Sequence, residues 1–273
     1  MWRSGKALWR WALLCAALIG LPAPTLASTN PDGVAVIIGN KGYSEGIPAV
    51  TFAHNDAEAM RRYVVEVLGF EAENVIDLRD ATQAELISAF GNERNHKGKL
   101  WSYLAPDDAS DVVVFYSGHG VPGLEDERGY LLPVNADPNQ PELNGYPLDL
   151  LYKNLGKLKG EARAVTVYLD ACFSGGSGGG LVVTETSGIL VPYKQPKDVG
   201  GLRVLTAAEG DQVASWDKEA KHGLFTRHLL DALHGKADQD RYGTPDGKVT
   251  LAEAKAYLDR HMTRAARRLS TPE

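Results

Sequence analysis

The chain has 273 residues, 44% of them hydrophobic and 23% charged, with a formal net charge of −6. That is enough apolar material for a substantial core, and it excludes a mainly disordered chain. The acidic balance excludes a nucleic-acid binder that works through clustered lysine and arginine, and it favours a cationic partner.

Residues 1–27 read as a secretory signal peptide. Arg3, Lys6 and Arg10 precede an apolar segment from Trp11 to Leu21, and small residues lead to Ala27. The apolar segment is shorter than the roughly 20 residues of a membrane-spanning helix, so the expected product is periplasmic or secreted, with no membrane span once the signal is removed. Cys15 leaves with it, and Cys172 becomes the single thiol. A lone cysteine in an exported protein is a reactive thiol, an intermolecular bridge, or a buried inert residue.

Val34 to Gly39 is an apolar strand followed by a turn through Asn40, Lys41, Gly42 and Tyr43. From His54 to Leu68, residues Ala59, Met60, Tyr63, Val64, Val67 and Leu68 recur at three- and four-residue spacing, which predicts a helix with one buried face. Asn55 or Asp56 is its expected N-cap and Gly69 its stop. Asn74 to Leu78 is a second strand, and Thr82 with Glu85 forms a capping box that opens a helix toward Phe90. A further helix is expected over Leu100 to Leu104. The apolar run Val112 to Tyr116 then ends in Ser117, Gly118, His119 and Gly120.

Gly129 to Val134 predicts half of a small hairpin, and Leu148 to Leu158 a helix. Ala164 to Leu169 has the composition of an interior parallel strand and delivers Asp170, Ala171 and Cys172 to its carboxyl end. Ser174 to Gly201 is glycine-rich and without period, hence a long loop. Leu202 to Ala207 is a strand, Gly223 to Leu233 a helix, and Thr250 to Arg267 a helix opened by a second capping box with Glu253. Asp246 and Gly247 partly resemble a calcium-binding loop, but Tyr242 and Thr244 would fall where acidic ligands are needed. A glycine turn before a capped helix explains the stretch better. The alternation predicts an α/β fold: a mostly parallel sheet with helices on both faces. The expected organisation is a larger region over 33–185, a flexible loop over 186–201, and a smaller region over 202–268 that completes the same domain.

Two strands thus end in a histidine and a cysteine, at the sheet edge where open α/β folds bind ligands. An imidazole can take the proton of a thiol and later protonate a leaving amine. Backbone N–H groups of Gly120 and Cys172 are candidates to hold the oxyanion of a tetrahedral intermediate.

On Val34 to Gly39 with Asn40 and Tyr43, Asn55-Asp56-Ala57, Tyr116 to Gly120, Gly129 to Asn135 and Asp170 to Gly175, the sequence resembles the caspase-like cysteine peptidases, and within them the bacterial relatives of metacaspases. Phe173 departs from the histidine common at that position in the metacaspase group. The resemblance implies a caspase-like fold, His119 and Cys172 as catalytic dyad, protein or peptide substrates, and cleavage after Arg or Lys. It implies a basic side-chain pocket built on Asp56, Ser117 and Asp170, with a third acid from Asp211 or its neighbours Glu209 and Asp217. A carboxylate pocket of that kind attracts arginine and repels an acidic side chain. No organic cofactor or metal site is implied, although calcium activation through Glu125, Asp126, Glu127 and Asp137 is a possibility the family raises. The alternative function is a catalytically silent module that binds basic peptides or partner proteins in the cell envelope. Lys194, Lys197 and Arg203 mark the long loop as a region of possible self-cleavage.

Overall fold

The computed structural model describes residues 29–126, 128–173, 176–177, 180–181, 201–207 and 216–269. The expected signal peptide, the loop 186–201 apart from Gly201, and the acids Glu127, Glu209 and Asp211 lie outside the described residues, as do Lys194 and Lys197.

In chain order the elements are β1 (Val34–Gly39), α1 (Ala53–Arg62), β2 (Val75–Arg79), α2 (Gln83–Phe90), β3 (Asp111–Ser117), β4 (Gly120–Pro122) and β5 (Gly129–Leu131). There follow α3 (Pro141–Asn144), β6 (Tyr146–Pro147), α4 (Leu148–Gly156), β7 (Ala164–Asp170), β8 (Gly176–Ser177), β9 (Gly180–Leu181) and β10 (Arg203–Thr206). The chain then forms β11 (Trp216–Asp217), β12 (His222–Gly223), α5 (Leu224–Asp231) and α6 (Leu251–Leu269). Five strands make one sheet in the order β10-β7-β3-β1-β2, every neighbouring pair parallel.

A parallel sheet needs cover on both faces, and the strand sequences provide for it. Successive side chains point to opposite sides. Val36, Ile38, Val112, Val114, Val167 and Leu169 join Leu86, Phe90, Leu151 and Leu155 of α2 and α4 in one core. Ala35, Ile37, Val113, Phe115, Tyr168 and Leu205 join Met60 of α1, Phe225 and Leu229 of α5 and Leu258 of α6 in the other. Burying a leucine-sized side chain contributes about 1.5–3 kcal/mol, so these two layers carry the fold.

The expected capping boxes are both present. Thr82 and Glu85 exchange hydrogen bonds at the start of α2, and Thr250 and Glu253 do so at the start of α6. Three expectations need correction. The N-cap of α1 is Phe52 and makes no side-chain cap bond, so neither Asn55 nor Asp56 caps it. Residues Lys99–Tyr103 form a short 3-10 turn instead of an α-helix. The hairpin of β11 and β12 was not foreseen, and its two-residue strands are too short for a period-2 pattern to register.

Asn40 ties the strand-end loops together. Its side chain accepts from the N–H of Ala81 at 2.8 Å and donates to the carbonyls of Leu132 at 3.2 Å and Ala81 at 3.4 Å, all fully buried. Asn40→Ala leaves the buried Ala81 N–H without a partner, at about 1–3 kcal/mol, and takes one bond each from the Leu132 and Ala81 carbonyls, which keep the Tyr116 hydroxyl and the Val134 N–H. Urea denaturation of the variant is expected to show a loss of about 2–3 kcal/mol with an unchanged m-value.

Candidate active site

β1 is followed by a helix on one face of the sheet, whereas the crossovers into and out of β3 run over the other, so the carboxyl ends of β1 and β3 flank a topological switch point. The site is assembled there. β3 and β7 pair in parallel with Ser117 opposite Asp170, and the N–H of Gly118 donates to the Asp170 carbonyl at 3.2 Å. His119 and Cys172 each lie two residues beyond that last pair, so the register brings them to matching positions on adjacent strand ends.

His119 is 3% exposed and is held on three sides. Its Nε2 lies 2.6 Å from the Pro48 carbonyl oxygen, in the loop after β1. A carbonyl only accepts, so Nε2 carries the proton and Nδ1 is the basic nitrogen. The His119 N–H donates to the Tyr43 hydroxyl at 2.7 Å, and its carbonyl accepts from the Tyr116 hydroxyl at 2.8 Å. The Tyr43 ring stands 4.6 Å from the imidazole, centroid to centroid. Burial pulls the His119 pKa below its ordinary value, only partly offset by the Pro48 carbonyl. The imidazole is therefore neutral at physiological pH, the form a general base requires.

Cys172 is 4% exposed, just past the end of β7. A Cβ placed on Gly120 would come within 2.9 Å of the Cys172 carbonyl oxygen, so the two chain segments are in contact. In the β4–β5 ladder the Leu132 N–H bonds the His119 carbonyl, and the Gly123 N–H bonds the Arg128 carbonyl. With Gly120 opposite Leu131, that alternation makes Gly120 a non-hydrogen-bonded position whose N–H points away from β5. An N–H left outside the ladder is the kind of donor an oxyanion hole uses.

The expected pocket residues Asp56, Ser117 and Asp170 come together at the start of α5. Asp56 is 1% exposed; it accepts from the Ser117 hydroxyl at 3.1 Å and from the Gly223 N–H at 3.1 Å, and it lies 2.7 Å from His222 Nδ1. Asp170 accepts from the Thr226 hydroxyl at 2.5 Å and the Thr226 N–H at 3.2 Å. Both carboxylates thus sit in the field of a helix N-terminus, which stabilises negative charge. Burial first, and then the neighbouring Asp56 charge, push the Asp170 pKa up to about 7, against the opposing bonds from Thr226. Of the candidates for a third acid, Asp217 accepts from the Ala220 N–H at 2.8 Å and is ion-paired with Arg227.

Among the described residues no group of three or more His, Cys, Asp or Glu side chains is arranged to hold a metal ion. Asp126 takes bonds from the Arg128 N–H and the Tyr130 hydroxyl, while Asp137 accepts from the Asn139 N–H. The Glu125 N–H bonds the Glu142 carboxylate. Among the described residues, no helix is long and apolar enough to cross a membrane.

Sequence reasoning missed Pro48, Tyr116, His222 and Thr226. Pro48 and Thr226 act in part through backbone groups, which leave no residue-type signal.

The sequence pattern of the caspase domain family matches residues 32–256. Metacaspase III c of Phaeodactylum tricornutum (strain CCAP 1055/1) is 26% identical over 166 residues, 56% of this chain and 45% of that protein, so the match spans less than half of the relative's length. The crystal structure of caspase-1 from Spodoptera frugiperda is similar with a TM-score of 0.51 at 15% identity, covering 86% of this chain and 77% of that one. Pro-sf-caspase-1 is similar with a TM-score of 0.52 at 16% identity, covering 90% and 83%. At these identities the solved structures speak for the fold alone.

Proposed function

The chain belongs to the caspase domain family, and from that premise we propose that it is a cysteine endopeptidase that cuts after arginine or lysine through Cys172, His119 and a covalent acyl-enzyme. The observation that carries this reading is the matching position of His119 and Cys172 past the paired ends of β3 and β7, with the His119 tautomer fixed by the Pro48 carbonyl.

In the first half-reaction Nδ1 of His119 takes the thiol proton as sulfur attacks the scissile carbonyl. The carbonyl oxygen becomes an oxyanion facing the N–H groups of Gly120 and Cys172. The C–N bond then breaks, His119 gives its proton to the departing amine, and a thioester remains. Water attacks the thioester with His119 as base, the C–S bond breaks, and the proton returns to sulfur. No cofactor takes part in these steps.

The preference for arginine or lysine is supported by Asp56 and Asp170, two buried carboxylates beside Ser117 whose partners described above are hydroxyls, backbone N–H groups and the His222 imidazole. An acidic side chain there would be repelled by several kcal/mol. We place the mature protein outside the cytoplasm, on the basic and then apolar pattern of residues 1–27.

Fluorogenic peptides ending in Arg, Lys or Asp, each with and without calcium, test the proposal against Cys172→Ala. Release of dye from the Arg and Lys peptides by wild type alone is the expected result. Preference for Asp peptides would overturn the pocket assignment, and no cleavage of any peptide would overturn the activity.

A further inference from the structure

We infer that His222 is a specificity-determining residue: its imidazole occupies the Asp56 carboxylate, and a substrate's arginine or lysine reaches that carboxylate by displacing it. The inference rests on the basic-pocket reading above.

Asp56 offers two oxygens, and the chain already uses both. Oδ2 accepts from Ser117 and from the Gly223 N–H, and Oδ1 accepts from the Gly223 N–H and lies 2.7 Å from His222 Nδ1. The Gly223 side leaves no room, because a Cβ there would collide with Asp170 Oδ2 and stand 3.1 Å from Asp56 Oδ2. A guanidinium therefore cannot enter between the two carboxylates from that side. His222 differs: its side chain is 23% exposed whereas that of Asp56 is 1% exposed, so the imidazole lies between the carboxylate and solvent. It is a group of the same class as the proposed ligand, a planar nitrogen donor able to carry positive charge.

The element that carries it is small. β12 is two residues long and, among the described residues, pairs with the two residues of β11. Lys221, just before it, adopts a positive φ of 57°, and its carbonyl is held by Asn55 Nδ2 at 2.9 Å. The imidazole can leave Asp56 by rotation of its own side chain, with the hairpin's ties through Gly223, Lys221 and Asp217 kept. Of the charged groups near His222, Asp56 lies on α1 and Asp170 on β7, and Asp217 of its own hairpin is engaged by Arg227 of α5. Asp56 is the group it bonds.

A site occupied by its own side chain binds ligand more weakly in proportion to the fraction occupied. Removing the occupant restores that factor in binding and leaves the chemical step alone, whereas a merely structural His222 would lower kcat or stability. The test uses an arginyl peptide and agmatine, a soluble guanidinium, with wild type, His222→Ala and His222→Asn, each checked for an intact thermal transition. In His222→Ala, KM and the agmatine inhibition constant are expected to fall about tenfold with kcat within about twofold of wild type. His222→Asn keeps a neutral donor toward Asp56 and is expected to fall between, which preserves the test if the alanine variant does not fold. Unchanged or raised KM and inhibition constants in the folded variants would overturn the inference while leaving the arginine preference standing. Arginyl peptides left uncut by all three proteins, with aspartyl peptides cut, would overturn the pocket reading and this inference together.

Discussion

Replacing Cys172 with alanine is expected to lower kcat on every peptide the protein cuts by about 10⁶-fold, and His119→Ala by nearly as much. The two residues act as one unit, so the double variant is expected to be no slower than either single one. Without sulfur there is no covalent intermediate. Without His119 the thiol has no base, because the imidazole's own partner is the Pro48 carbonyl, and the hydroxyls that bond the His119 backbone, those of Tyr43 and Tyr116, have pKa values that burial drives up. Residual activity in both variants comes from substrate binding and the oxyanion donors. The pH profile provides a second readout. Burial holds the His119 pKa below its ordinary value of 6.5, so its neutral, basic form persists to lower pH than for a free imidazole. The acid limb of the single-turnover rate is therefore expected below pH 6.5, and it should vanish in His119→Ala. Retention of more than about one per cent of wild-type kcat in Cys172→Ala would remove the thiol from the mechanism.

The sheet and the placing of His119 and Cys172 at adjacent strand ends were legible in the sequence because both are local patterns. Apolar runs at Val34, Val112 and Ala164 are written in consecutive residues, and the turns bearing His119 and Cys172 follow them directly. The capping boxes at Thr82 and Thr250 were legible for the same reason, since their partners lie three residues away. What stayed hidden depends on contacts across the chain. Asp56 and His222 are 166 positions apart, and nothing near either announces the other. Asp56 invited the reading of an N-cap because a carboxylate at a helix start commonly has that role. Instead the helix begins earlier, at Ala53, behind an N-cap Phe52 whose ring meets Trp216 edge-on at 6.1 Å, and Asp56 is turned toward the N-terminus of α5. A carboxylate did serve a helix N-terminus, but it was a different helix.

Asp170 is expected to make arginine binding depend on pH, with KM for an arginyl peptide about tenfold higher at pH 6 than at pH 8. Its pKa is raised to about 7 by burial and by Asp56, so below pH 7 the free pocket holds a neutral Asp170 and one fewer negative charge. A guanidinium favours the ionised form and must expel that proton to bind, which becomes costlier as pH falls. Asp170→Asn cannot ionise. It is expected to raise KM at pH 8 by about 10²-fold and to flatten its pH dependence, with a smaller effect on kcat. Stability moves the opposite way. A carboxyl whose pKa is raised on folding stabilises the fold fully below the unfolded value near 3.8, and that contribution is lost as pH rises through about 7. Asparagine keeps an oxygen for the Thr226 hydroxyl and offers an N–H₂ group toward Asp56, so it avoids burying a second negative charge. At pH 8 the variant is expected to unfold at a higher urea concentration than wild type, by about 1–4 kcal/mol, and at pH 4 the two should converge. Weaker arginine binding together with a more stable fold is the signature of a residue retained for its ligand. A variant that lost stability at pH 8, or kept its KM, would make Asp170 a structural cap of α5.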